Sequence, residues 1–139
     1  MRAPYLLDTD ACIYLINRRT GYERLLAHLE QLDYGDVLIS SITAAELEYG
    51  IAKSQRGAEN RNRYGLFIAR FEIAPFDERA ASMYGPLRAT LEASGTPIGP
   101  LDTLIAAHAL SLNATLMTNN LREFSRVDKL KIKNWLDAT

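Results

Sequence analysis

The sequence predicts a three-layer α/β/α domain built on a mostly parallel central sheet. Three observations carry this expectation. Short apolar runs such as Leu6-Leu7, Val37-Leu38-Ile39 and Leu116-Met117 alternate with longer stretches of helical periodicity. Helical patterns outnumber strand patterns, so helices are expected to do more than cover the two faces of the sheet. No linker-like stretch or internal repeat divides the chain, which reads as one domain over residues 1–139. A chain of that length buries roughly two thirds of its unfolded surface.

The elements follow in order. A first strand near 4–8 leads into a helix around 10–18, which ends in the polar group Asn17-Arg18-Arg19-Thr20-Gly21. Leu25, Leu26, Leu29 and Leu32 then recur at helical spacing up to Gly35. Val37–Ser40 reads as a compact strand, and Ser41–Leu47 opens a helix with Ile42, Leu47 and Ile51 on its buried side. A polar–apolar helix covers 57–71, followed by a short strand, Ile73-Ala74-Pro75-Phe76, with a proline near its end. A further helix over 78–94 is expected to break or bend at Gly85-Pro86. The loop Gly95-Thr96-Pro97-Ile98-Gly99-Pro100 is the clearest punctuation in the chain. After it come an alanine-rich helix to Leu112, the strand Thr115–Thr118, the polar turn Asn119-Asn120 and a C-terminal segment.

Composition excludes several classes. Apolar content of 47% with 24% charged residues is that of an ordinary globular protein. No apolar stretch approaches the roughly 20 residues that span a bilayer, and the first apolar run meets Asp8 too soon for a signal peptide. The single cysteine, Cys12, rules out an intramolecular disulfide, suits a reducing cytosol and is expected in the core of the first helix. Net charge is −1, so composition does not announce a nucleic-acid binder. Two basic clusters stand out, Lys53, Arg56, Arg61, Arg63 and Arg70 in the middle and Arg122, Arg126, Lys129, Lys131 and Lys133 near the end. They read either as solvated helix faces or as surface that tracks a phosphate backbone.

The acids are more informative. Asp8 ends an apolar run, where a carboxylate is costly unless a metal ion, a basic partner or several donors neutralise it. In open α/β sheets, ligands gather at the carboxyl ends of the strands. Each acid also has a structural reading. Asp8 and Asp102 both stand where a helix N-cap would stand, and Thr43-Ala44-Ala45-Glu46 is written as a capping box. Asn119 and Asn120 suit an ordinary turn. The joint pattern favours a site. Asp8 and Thr118 fall at strand ends, and Glu46 and Asp102 fall in the first turns of helices. With parallel strands, all four lie on one edge of the sheet.

Three carboxylates beside an amide or hydroxyl form a hard oxygen cage suited to Mg²⁺ or Mn²⁺ and poor for zinc. His28 and His108 lack partners at ligand spacing and read as surface or core residues. A divalent ion so held lowers the pKa of bound water and orients a phosphodiester for attack, and a second ion about 4 Å away stabilises the departing oxygen. No nucleophilic side chain is needed, consistent with the absence of a Ser-His-Asp or Cys-His arrangement.

These residues carry a resemblance. Leu6-Leu7-Asp8-Thr9-Asp10 resembles the opening strand of PIN-domain nucleases, and Ser40–Gly50 around Glu46 resembles the segment with their second acid. Pro97–Ala109 around Asp102 resembles the third motif, and Thr115–Val127, with Thr118-Asn119-Asn120, the last. Together with Asn134-Trp135 these segments resemble the VapC toxins of VapBC toxin–antitoxin systems over nearly the whole chain.

The resemblance implies a PIN-like fold and a cytoplasmic Mg²⁺- or Mn²⁺-dependent endoribonuclease acting on RNA, often tRNA. It implies silencing by a cognate VapB antitoxin whose C-terminal tail wraps the toxin and directs a basic side chain at the carboxylates. A homodimer is implied as well, with operator DNA bound only through the antitoxin and no membrane partner. Carried over by position, Asp8, Glu46 and Asp102 are the metal-binding acids, Asn120 or Asn119 holds the fourth position, and Thr9, Asp10 and Thr118 support them. The chain departs from the pattern at Asn120, where family members frequently have aspartate, and at Asp10, where asparagine is common. The amide implies weaker binding of a second metal; Asp10 either adds charge to the site or caps the first helix.

Three other classes share part of this pattern. Asp8-Thr9-Asp10 after a strand is also similar to haloacid-dehalogenase-type phosphatases, but Asn119-Asn120 stands where their second acids are needed. A receiver domain fits the length, yet Val37–Ser40 ends in serine rather than a phosphoacceptor aspartate. A non-catalytic PIN-like binding domain remains as the third alternative.

Overall fold

A computed structural model describes residues 3–136. Five short strands, β1 (Tyr5–Leu7), β2 (Val37–Ser40), β3 (Glu72–Ala74), β4 (Thr115–Met117) and β5 (Lys131–Lys133), form one sheet. Its order is β3-β2-β1-β4-β5 and every pairing is parallel. Parallel neighbours need crossovers, and the helices supply them. These are α1 (Thr9–Ile16), α2 (Tyr22–Glu30), α3 (Ser41–Ala52), α4 (Gly57–Ile68), α5 (Glu78–Ala93), α6 (Pro100–Leu112) and the short α7 (Leu121–Phe124).

Side-chain alternation along the strands divides the core into two layers. Leu7, Ile39 and Met117 point to one face, where they pack with Ala11 and Cys12 of α1, Leu25 and Leu29 of α2, Leu47 of α3 and Phe67 of α4. Leu6, Leu38 and Leu116 point to the other, against Leu91 of α5, Ile105 and Ala109 of α6 and Phe124 of α7. The α/β/α expectation therefore holds. Cys12 is free and buried, as expected of a small core residue, and burial pushes its thiol well above the usual range.

The topology sets the position of the site. Leaving β1, the chain adds β2 and β3 on one side, then crosses to add β4 and β5 on the other. The crevice between the carboxyl ends of β1 and β4 is the switch point where ligands bind in such sheets. The register aligns Leu7 with both Ile39 and Met117, so Asp8, Ser40 and Thr118 follow at the same level.

Several details correct the expectations. Helix α5 runs without a break through Pro86. Both Pro86 and Ser82, whose carbonyl the ring deprives of a partner, are exposed, where the carbonyl is open to solvent rather than buried unpaired. Strand β3 occupies 72–74 rather than 73–76, because Pro75 cannot donate to the ladder. Ile42 packs with the second core layer while Leu47 and Ile51 pack with the first, so α3 divides its apolar residues between two layers. The helix expected over 57–71 ends at Ile68. Helix α7 and strand β5 escape notice in the sequence, one being a single turn and the other a Lys-Ile-Lys edge with one apolar residue. The C-terminal segment is anchored by buried Trp135, edge-on to Tyr14 at 5.3 Å. It crosses Gly21, whose positive φ of 96° suits glycine and where a Cβ would lie 2.7 Å from Leu136.

Candidate metal-binding acidic site

Asp8 follows β1 directly, is only 4% exposed, and donates its amide to Met117 O at 3.1 Å. Its Oδ1 accepts from Ala11 N at 2.8 Å, so Asp8 caps α1. The capping reading holds, and the cap is also a buried carboxylate at the switch point. Burial raises its pKa to about 7, with Asp10 and Asp102 adding repulsion, against hydrogen bonds from Thr118 and Ala11.

Glu46 lies in the second turn of α3 rather than the first, because the helix begins at Ser41. Its cap is Ser40, whose Oγ accepts from Ile42 N at 3.0 Å, so the Thr43–Glu46 capping box is not formed. Glu46 Oε1 instead accepts from Thr9 Oγ1 at 2.6 Å, and Thr9 Oγ1 lies 3.1 Å from Thr43 Oγ1. With the Thr9 proton committed to the carboxylate, the fully buried Thr43 donates to Thr9. Two threonines from two helices thus hold one acid.

Asp102 stands in the first turn of α6, three residues past the N-cap Gly99, so it is not the cap. Burial raises its pKa to about 6, followed by the nearby Glu123, Glu46 and Asp10. Glu123 is held below the usual carboxylate range, chiefly by Asn120, whose Nδ2 donates to Oε2 at 2.8 Å. Asp102, the Gly99 amide and Arg126 also favour its charge. Of the two, Asp102, the more deeply buried, holds a proton more tightly. Glu123 is the acid that sequence reasoning missed. It stands one helical turn after Asn120, which brings the two side chains together.

Thr118 is fully buried and its Oγ1 accepts from Asn120 N at 2.9 Å. Of the two asparagines it is Asn120 whose side chain is engaged, through Glu123. Asn119 is half-buried. Asp10, in the first turn of α1, does not cap the helix; it adds negative charge felt by Asp8 and Asp102.

The donor set fits a hard divalent cation: oxygen only, crowded, and with proton affinities raised by burial and mutual repulsion. The side chains do not close on one point, and among the described residues no three acidic, histidine or cysteine side chains converge tightly enough to ligate one ion. Glu46 is turned to Thr9, and Asp102 lies beside Glu123.

Elsewhere, His108 is buried with Nδ1 2.8 Å from Ser40 Oγ, while His28 is half-buried. The middle basic cluster is largely a solvated helix face: Arg61 pairs with Glu48 at 2.6 Å, Arg63 with Glu59 at 3.3 Å, and Lys53 lies over Tyr49. Away from the acids, a groove of about 780 Å³ runs between α1, α2 and α4. Its walls include Leu26, Leu66 and Phe67, with Arg18, Arg63 and Arg70 beside them.

Comparison with known proteins shows the family and the fold. The PIN domain family model matches residues 5–130. The chain is 42% identical over 132 residues to Ribonuclease VapC2 of Rickettsia felis, covering 94% of this chain and 97% of that protein. It is 39% identical over 131 residues to the tRNA(fMet)-specific endonuclease VapC of Shigella flexneri, with 94% and 97% covered. Among solved structures it is similar to DNA-bound VapBC from Salmonella typhimurium, with a TM-score of 0.90, 38% identity, and 96% and 99% of the two chains covered. VapBC2 of Rickettsia felis bound to a promoter DNA fragment superposes with a TM-score of 0.86 and 42% identity over 94% and 98%.

Proposed function

The chain belongs to the PIN-domain family, among its VapC members, and from that premise we propose that it is a divalent-metal-dependent endoribonuclease. The observation that carries the reading is the gathering of Asp8, Glu46 and Asp102, with Asp10 and Glu123, at the sheet's switch point. The sheet order also disfavours a receiver domain, which follows 2-1-3-4-5. After β4 come Thr118, Asn119 and Asn120 in place of the acids a dehalogenase-type phosphatase needs.

Asp8, Glu46 and Asp102 would hold Mg²⁺ or Mn²⁺, which when bound supplies the positive charge that acidifies water and stabilises a leaving oxygen. The chain's own residues prepare that site. Asp8 is rigid, tied through Ala11 to α1 and through Met117 to β4. Thr9 and Thr43 aim Glu46. Asn120 keeps Glu123 ionised beside Asp102, where the carboxylate is a ready acceptor for the Asp102 proton. RNA is the substrate, with tRNA as its class, on the strength of the Shigella relative.

The partner is a VapB antitoxin. Its support is the groove between α1, α2 and α4, whose apolar walls and arginines suit an amphipathic segment with an acidic flank. A homodimer, and operator DNA contacted through the antitoxin, belong to the same reading, supported by the DNA-bound complexes among the similar structures. Among the described residues no helix is long and apolar enough to cross a membrane, and we place the protein in the cytoplasm.

The test is incubation with total cellular RNA in Mg²⁺, Mn²⁺ or EDTA, beside Asp102→Ala. Discrete metal-dependent fragments absent from the variant are expected. A folded, antitoxin-free protein that cuts nothing would refute the nuclease reading.

A further inference from the structure

His108 lies at a junction that the acidic site does not itself explain. It is 1% exposed, on α6, six residues after Asp102. Its Nδ1 meets Ser40 Oγ at 2.8 Å, and Ser40 is the cap of α3, six residues before Glu46. The same hydroxyl accepts from Ile42 N, so its own proton is free for the imidazole. Burial lowers the pKa of the ring, against Asp77 and the Pro75 backbone, so the neutral form that accepts at Nδ1 is favoured. Nε2 is buried and makes no hydrogen bond among the described residues. The ring also stands edge-on to Phe76 at 5.4 Å, and Phe76 N donates to Ser41 Oγ at 2.9 Å. One side chain thus binds the start of α3, the loop after β3 and the middle of α6.

These are the helices that carry Glu46 and Asp102. An α-helix is stiff over six residues, about 9 Å, so rotation or sliding of α3 against α6 at the Ser40–His108 bond reappears at the two acids. An apolar residue would fill the core at this place without risking an unpaired polar atom. We propose that His108 is a positioning residue: its hydrogen bond to Ser40 sets the separation of Glu46 from Asp102 and thereby the affinity of the acidic site for a divalent ion. The inference rests on the metal-site reading above.

The test uses Mn²⁺ affinity measured by calorimetry on the full chain, with thermal melts in EDTA and steady-state RNA cleavage alongside. In His108→Leu, Mn²⁺ binding is expected to weaken about tenfold or more and kcat to fall while KM for RNA stays, the scale of supporting residues around metal ligands. His108→Asn, whose Oδ1 can accept from Ser40, should recover most of both. Ser40→Ala should lose affinity as His108→Leu does, and the double variant should lose little more. A folded His108→Leu with wild-type Mn²⁺ affinity overturns the proposal, as does a lowered melting temperature with unchanged affinity. Failure of Asn to recover affinity overturns it too, and if His108→Leu does not fold, Ser40→Ala and His108→Asn decide. Wild-type protein that binds Mn²⁺ without cutting RNA refutes the nuclease reading alone, because positioning is read on affinity. Wild-type protein that binds no Mn²⁺ overturns both.

Discussion

The acidic edge of the sheet and the groove between α1, α2 and α4 differ in what each leaves unsatisfied. At the edge, carboxylates are packed until Asp8 and Asp102 hold their protons to about 7 and about 6. In the groove the walls are apolar and the charges are arginines. A small cation answers the first and a polypeptide the second. The two regions share no lining residue, so each can be damaged without the other.

The largest effect is expected at the edge. Asp8→Ala, Glu46→Ala or Asp102→Ala should lower RNA cleavage about 100-fold or more while circular dichroism reports the same fold. A well-folded Asp8→Ala cutting at the wild-type rate would remove the site assignment.

Next comes the energetic cost of that crowding. Folding raises the Asp8 pKa from 3.8 to about 7, so between those values the folded state binds more protons than the unfolded one. Stability in EDTA should therefore fall as pH rises from about 4 to 7 and then level off, by about 2–4 kcal/mol for Asp8. Mg²⁺ should restore it at pH 8. Asp8→Asn should melt higher than wild type in EDTA at pH 8, with a smaller Mg²⁺ shift; a larger shift in the variant would contradict this account.

The groove gives the converse result. Leu66, 77% exposed, lies on its wall. Leu66→Glu should weaken VapB binding about tenfold or more in a titration, the loss of one well-placed contact, and leave RNA cleavage unchanged. Reduced cleavage would join the two regions into one.

The smallest effect belongs to the exposed basic face. Arg61→Ala breaks the pair with Glu48, in which both side chains are about half exposed, and should leave the chemical-denaturation midpoint nearly unchanged.

Much of this was legible in the sequence. Asp8 and Thr118 could be placed because strand ends are marked by a change from apolar to polar residues, and the parallel order follows from the alternation of elements. Asp102 follows the plainest loop in the chain. Glu46 falls on α3 as expected but in its second turn, and the capping box that Thr43 also offers is not formed, because the strand runs into the helix at Ser40 with no loop between. Glu123 escaped because a single helical turn has no periodicity to read. The partnerships of Thr43 with Thr9 and of His108 with Ser40 join residues 34 and 68 positions apart, and nothing local announces them.

The switch-point topology also has a consequence in time. Leu7 is synthesised well before Met117, its neighbour across the crevice, and Glu123 comes later still. At ribosomal speed the interval is about 5–20 s. Throughout it Asp8 lacks the strand that completes its side of the crevice, so a nascent chain carries only a fragment of the cutting edge. The acidic edge closes only when β4 and α7 have followed β1, and the helices of the groove wait as well, since Tyr14 of α1 packs on Trp135.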